Sequence, residues 1–250
     1  IKAFLERLLS QAEGRTLDIL VVANGCTDQT VEIASSVGGV TVIETPVGDK
    51  PTALDLADEH GTAFPRFYVD ADVDTTVDDL FACADALDGT VHAVAPRLSV
   101  DTTGSDRFVQ SYYAIWNRLP WATVGMIGSG IYGLSEEGRA RFKAFHPQGA
   151  DDLWVSAHFA PDERSSVPGT QFTVKASPTV RQTIRRKSRI HAANQLIRPD
   201  IAGLPGDVAP AGATVKDLVK DEPRLLPHLA VYVTITAAAR LIARRKIARG

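Results

Sequence analysis

The sequence predicts an α/β protein: a mostly parallel sheet flanked by helices, with a helical C-terminal extension. Three observations carry this. Apolar runs of strand length at 18–23, 40–44, 67–69 and 91–95 alternate with helix-patterned stretches at crossover spacing. The stretches 19–23 and 67–69 are continuously apolar, as expected for strands buried on both faces. The 250 residues, 44% apolar and 23% charged, suffice for one soluble domain with a sizeable core.

Taken in order, Ile1, Phe4, Leu5, Leu8, Leu9 and Ala12 follow helical spacing, and Gly14 can end that helix. The run from Asp18 to Ala23 is a predicted strand. The polar turn Asn24-Gly25-Cys26-Thr27-Asp28 follows, with Thr27 or Asp28 placed to cap a helix from about Thr30. Val40 to Glu44 is a second strand, and Lys50-Pro51 opens the next helix. Phe67 to Val69 is a third strand. Thr76 caps a helix with Asp78 and Asp79 in its first turn. Val91 to Ala95 is a fourth strand.

The second half is less regular. Asp106 to Leu119 reads as an aromatic-rich helix, and Gly125 to Gly130 as a loop leading into Ile131-Tyr132-Gly133-Leu134. Ser135 caps a short helix, Asp151-Asp152 opens another, and Phe172 to Ala176 is a further strand. Gly and Pro cluster at 199–213 and read as a surface linker. This divides the chain into a domain over 1–198, with halves 1–95 and 96–198, and an extension over 199–250.

Charge is uneven. The net charge is −3, yet residues 181–198 carry Arg181, Arg185, Arg186, Lys187, Arg189 and Arg198 without an acid. Residues 240–249 carry Arg240, Arg244, Arg245, Lys246 and Arg249, again without an acid. Such clusters suit phosphates or an anionic membrane. They lack the interleaved aromatic residues of a nucleic-acid platform, so nucleic acid is not an expected partner. Cys26 and Cys83 make neither a disulfide framework nor a metal-ligand spacing, which points to a reducing cytoplasm. No signal-peptide pattern begins at Ile1, and with no methionine there the native start is expected to lie upstream.

Chemistry enters at Asp70-Ala71-Asp72, directly after a predicted strand. Ligands of open α/β sheets bind beyond the carboxyl ends of strands. Side chains two apart in an extended segment point the same way, so Asp70 and Asp72 are expected to converge on one cation or its phosphate ligands. Mg²⁺ and Mn²⁺ suit carboxylate oxygens and are usually shared with a substrate phosphate. The plainer reading is a solvated turn.

Several segments together resemble the family 2 glycosyltransferases of the GT-A, Rossmann-like fold. Val21 to Thr30 resembles that family's second-strand signature, and Lys50-Pro51-Thr52-Ala53-Leu54 its G-K-x-x-A-L-N segment. Tyr68 to Asp72 resembles its D-x-D strand end, and Asp151-Asp152-Leu153 its E-D-x-x-L position. Gln182 to Arg186 partly matches Q-x-x-R-W, with Arg186 in place of Trp. The resemblance covers about residues 1–195. The family opens with a further strand that has no counterpart here, so a central strand and part of the nucleobase pocket are expected to be missing.

The resemblance implies an inverting transfer of a sugar from a nucleotide-diphosphate donor to an acceptor hydroxyl on a sugar, lipid or peptide. Asp72 with Asp70 would hold the Mn²⁺ or Mg²⁺ that offsets charge on the departing diphosphate. Asn24, Asp28, Lys50 and Asp70 would line the donor, and Arg185 and Arg189 would close over its diphosphate. Gly128, Ser129, Gly130 and Trp154 would form the acceptor side. Trp116 and Trp121 share the option of stacking on sugars, though core packing suits any one of these rings. Asp152, with Asp151 beside it, is the expected general base, because desolvation and a like-charged neighbour raise a carboxylate pKa. Two alternatives stay open: a nucleotidyltransferase of similar sheet architecture, and a catalytically silent nucleotide-sugar-binding module.

Between His228 and Arg240 only eleven uncharged residues, Leu229 to Ala239, run uninterrupted, short of a bilayer span. The segment Leu225–Ile247 therefore reads as an amphipathic helix with a cationic end, either lying on the cytoplasmic face of a membrane or packed on the domain.

Overall fold

Two strands rich in β-branched residues open the sheet. In the structure, a computed structural model that describes residues 1–119, 129–207 and 212–249, β1 (Ile19–Asn24) pairs in parallel with β2 (Val40–Thr45). Only the backbone is described for residues 212–214 and 216. Helix α1 (Lys2–Gln11) precedes the pair and α2 (Thr30–Ser35) joins the two strands. Leu5, Ala34 and Val37 pack with Val21, Val40 and Val42 into a small core of their own.

The larger sheet contains β3 (Arg66–Val69), β4 (Val73–Asp74), β5 (Ala93–Asp101), β6 (Ile131–Leu134) and β7 (Arg164–Lys175). Their order is β3-β6-β5-β7-β4. β5 and β7 are parallel, β6 is antiparallel to both β3 and β5, and β4 is antiparallel to β7. Thus β3, β5 and β7 share one direction, as a mostly parallel sheet requires, and the short strands β4 and β6 run against it. Sequence reasoning started β5 too early and ended it too soon. The strand continues through Pro96 because the ladder shifts register between Pro96 and Arg97, sparing the missing N–H a partner.

β1 and β3 share no hydrogen bonds. A cavity of about 570 Å³ lies along this side of β1, lined by Val21, Val22, Ala23, Asn24, Ile33 and Ala71 among others. No strand among the described residues fills it.

Helices begin where the capping chemistry directs. Asp49 accepts the Thr52 N–H at the start of α3 (Lys50–His60), and Thr76 accepts that of Asp79 at the start of α4 (Val77–Asp85). Asp106 caps α5 (Arg107–Trp116), and Ser135 caps α6 (Glu136–Arg139). Helix α7 (Asp151–Ala157) has no side-chain cap and follows Ala150, whose φ of 53° is left-handed. Thr179 and Gln182 form a reciprocal capping box on α8 (Val180–Ile201). Helices α9 (Gly212–Asp221) and α10 (Leu226–Ile247) complete the chain.

Aromatic packing backs the strand ends. Tyr68 of β3 stacks on Tyr132 of β6, with ring centroids 5.0 Å apart, and Phe142, Phe145 and Phe159 fill the layer behind. Tyr68 donates to Asp58 at 2.6 Å, and Asp58 also pairs with Arg66 and Arg139. A half-buried acid with two cations and a phenol around it is satisfied, so this network fixes β3 against α3 and α6.

One expectation about the C-terminal region is corrected. Residues 199–206 are not a surface linker: Pro199 lies in the last turn of α8, Ile197 and Ile201 pack against Ala157, and Gly206 donates to the Ala157 carbonyl. Apolar burial outweighs the local breaker there, and a boundary at 198 would cut through a helix. Helix α10 packs on the domain, one of its two expected placements: Tyr232, Ile235, Ala239 and Ala243 are buried on one stripe and Tyr232 stacks on Tyr112 of α5. By length and composition Pro223–Ile247 is also apolar enough to cross a membrane, with a mean hydropathy of 1.5. The uninterrupted eleven-residue run understated it, because a span tolerates a few charges near its end.

Candidate active site

The site forms where β3 stops. Asp70 donates its backbone N–H to the Gly130 carbonyl (2.7 Å), and the Val73 N–H returns to the Asp70 carbonyl (3.1 Å). Asp70-Ala71-Asp72 is therefore a turn, not an extended segment. The side-by-side carboxylates expected from strand alternation do not occur: Asp70 points to a lysine and Asp72 is exposed. The turn is built around Gly130, at φ 116°, where a Cβ would come within 2.7 Å of Val73 Cγ2.

Lys50 links the parts. Its Nζ lies 2.6 Å from Asp70 Oδ1 and 2.9 Å from Asp151 Oδ2, so the first residue of α3 ties the end of β3 to the first residue of α7. Burial disfavours its charge, but Asp151, Asp70 and Asp152 outweigh burial and hold the ammonium above its ordinary pKa. Burial raises the Asp70 pKa, while Lys50 opposes the rise. Tyr132 donates to Asp151 at 3.3 Å. Sequence reasoning missed Tyr132, whose place in an apolar strand signals core and nothing else.

Asp152 stands behind this group. Its Oδ2 accepts the Ser129 N–H at 2.7 Å. Its Oδ1 is out of solvent contact and has no hydrogen-bond partner among the described residues. Burial, then the Asp151 charge, push its pKa up to about 7, against the pull of Lys50. Ser129, at φ 72°, and Gly130 thus turn one N–H toward Asp152 and one carbonyl toward Asp70.

Asp70, Lys50, Asp151, Asp152, Ser129 and Gly130 are brought together. Gly128 and Trp121 lie outside the described residues. Asn24 lines the cavity beside β1, and Asp28 receives the Thr30 N–H at the start of α2. Trp154 packs instead of lining a cleft: its ring sits between His146 and His158, and its indole N–H donates to Ala144. Trp116 lies under the Lys187 ammonium, 4.4 Å from it. No hydrogen bond or ion pair among the described residues joins Arg185 or Arg189 to the carboxylates, and Arg185 lines a groove between α8 and α10.

The donor set bears on the expected cation. No group of three or more metal-ligating side chains occurs among the described residues. Asp70 is engaged by Lys50, whereas Asp72 is exposed and makes no hydrogen bond or ion pair among the described residues. Its charge is close enough to raise the Asp70 pKa. Two carboxylates do not make an all-protein cage. Of the two, Asp72 is the carboxylate left free among the described residues for a Mg²⁺ or Mn²⁺, which would take most of its ligands from a diphosphate and water.

The two loops that follow β1 and β2 touch backbone to backbone just before Lys50. Gly25, at φ 59°, would place a Cβ 2.6 Å from Gly48 Cα, immediately before the Asp49 cap. Gly25→Ala is expected to destabilise the fold by about 2 kcal/mol or more, through strain and collision together. Gly89→Ala is the control, because Gly89 has φ 88° with nothing near its Cβ and carries the strain alone. Equal losses of thermal stability in the two variants would show that the contact with Gly48 is unimportant.

No family model matches the chain, and no curated protein sequence matches it. Among solved structures it is similar to the mannosyltransferase PcManGT from Pyrobaculum calidifontis, determined in complex with GDP-Man and Mn²⁺. The likeness has a TM-score of 0.58 at 21% identity and covers 95% of this chain and 70% of that one. It shows a shared fold.

Proposed function

We propose that this chain is a glycosyltransferase of the family 2 type, moving a sugar with inversion from a nucleotide-diphosphate donor to an acceptor hydroxyl. The observation that carries the reading is Asp152. It is a carboxylate with a pKa near 7, one oxygen unpartnered, beside the Lys50-bridged pair Asp70 and Asp151 at a strand end. The shared fold with a GDP-mannose-bound enzyme supports it.

In this mechanism Asp152 removes the proton from the acceptor hydroxyl as its oxygen bonds to the anomeric carbon. The bond from that carbon to the diphosphate oxygen breaks, and the electron pair leaves with the diphosphate. With no protein nucleophile, one displacement inverts the anomeric centre. Lys50 holds Asp70 and Asp151 in place, and the Ser129 N–H orients Asp152. Asn24 and Asp28 lie on the nucleoside side. A divalent cation on Asp72 and Asp70 would supply charge neutralisation for the leaving diphosphate. The acceptor hydroxyl in this reading belongs to a sugar, lipid or peptide, and the proposed place of action is the cytoplasm, with α10 at the inner face of a membrane.

The test is a thermal-shift panel of GDP-, UDP- and TDP-sugars with Mn²⁺ or Mg²⁺, followed by assay of released nucleoside diphosphate. At about 100 times its Kd, the correct donor stabilises the native state by about 2.7 kcal/mol, which is about 5–10 °C for a chain of this size. Stabilisation without turnover for any acceptor would make the protein a binding module. No stabilisation by any donor would end the reading.

A further inference from the structure

We propose that the groove between α8 and α10 seats the phosphate of an anionic phospholipid and docks the protein on a bilayer. The groove holds about 750 Å³. Val180, Ile184 and Ile242 make it apolar, and Arg181, Arg185 and Lys246 make it cationic. None of these three cations pairs with a carboxylate among the described residues, and residues 181–198 and 240–249 contain no acid. Ser188 adds a hydroxyl that is turned back onto the Arg185 carbonyl.

A purely ionic site would suit any phosphate. Here the cations border apolar surface in the groove itself, where Val180 and Ile184 face Ile242, a side chain 36% exposed. Three positive groups beside exposed aliphatic side chains match a phosphate headgroup joined to an acyl chain. The stripe of Tyr232, Ile235, Ala239 and Ala243 is committed to the protein, and Val233 and Leu241 are exposed on the other side of α10. The helix therefore offers one face to the protein and one to lipid, and lies on the membrane instead of crossing it.

The groove lies close to the carboxylate turn in the chain. Val73, next to Asp72, pairs with Val174 of β7, and α8 begins at Val180. Six residues span at most about 20 Å, so the start of α8 lies within that distance of Val174. The inference rests on the α10 membrane contact and not on glycosyl transfer, and its test reads lipid binding alone.

Full-length protein is sedimented with vesicles of phosphatidylcholine and with vesicles containing phosphatidylglycerol. Binding is expected only to the second, falling with salt. Arg181→Glu/Lys246→Glu is expected to weaken it about twentyfold or more. Arg97→Glu/Lys143→Glu, an equal charge change at exposed positions elsewhere, is expected to cost less than about threefold. Equal losses in the two variants, or none in the first, would overturn the groove. Thermal stabilisation by short-chain phosphatidylglycerol and not by inorganic phosphate is expected, and equal stabilisation by both would overturn the lipid assignment. Release by alkaline carbonate is expected, and retention would mean that α10 spans the bilayer.

Discussion

Asp152→Asn lowers turnover by about 10²-fold or more while leaving donor affinity within about threefold of wild type. Asparagine keeps the size of the side chain and can still accept the Ser129 N–H, so the turn at 129–130 stays in place. Only basicity is lost. The wild-type rate has a matching pH dependence. Asp152 works as a base when ionised, and burial holds its pKa near 7. The rate on saturating donor and acceptor therefore climbs as pH rises towards 7 and levels above it, while the variant lacks that step. Stability moves the other way. A buried acid whose folded pKa is raised favours folding least when ionised, so the variant melts higher than wild type above pH 7. Turnover kinetics and melting across pH 5–9 on the same two proteins check both. Retained turnover would transfer the base role to Asp151, and lost donor affinity would make Asp152 a binding residue.

Asp72→Ala removes the Mn²⁺-dependent part of nucleoside-diphosphate affinity, about tenfold to a hundredfold or more, without lowering the melting temperature. The side chain is exposed and makes no ion pair or hydrogen bond among the described residues, so nothing in the fold depends on it. Asp70→Ala differs in kind. It strips Lys50 of one of its two partners and disturbs Asp151 as well, so affinity and stability fall together. Calorimetry of the diphosphate with and without Mn²⁺ separates the two. Unchanged Mn²⁺ dependence in Asp72→Ala would remove this residue from the cation site.

Local signals carried much of the fold. Thr76 and Ser135 cap helices as the sequence indicates, because a cap is read within four residues, whereas the caps Asp49, Asp106 and Thr179 and the long helix after Thr179 were not assigned from the sequence. The strands β1, β2 and β3 were legible as apolar runs. β4 and β6 were not assigned as reverse strands, because two and four residues hold too little pattern to fix direction. The site divides the same way. Asp70, Asp151, Asp152 and Lys50 were each visible as chemistry-bearing residues. That one ammonium bridges residues 70 and 151 was not, since no local rule joins positions that far apart. The helix through Pro199 was misread because burial of Ile197 and Ile201 is a tertiary effect that local breaker rules ignore.

The contact between Gly25 and Gly48 also has a dynamic side. With no side chain on either residue, the two main chains abut, and a contact this close would couple the movement of the two loops. The β1–α2 loop carries Asn24 and Asp28, and the β2–α3 loop leads through Asp49 into Lys50. Ordering one loop with a nucleoside would thus quieten the other and narrow the positions open to Lys50. Amide exchange at 24–28 and 46–50 would then slow as one cooperative unit, on one timescale, when a nucleotide is added.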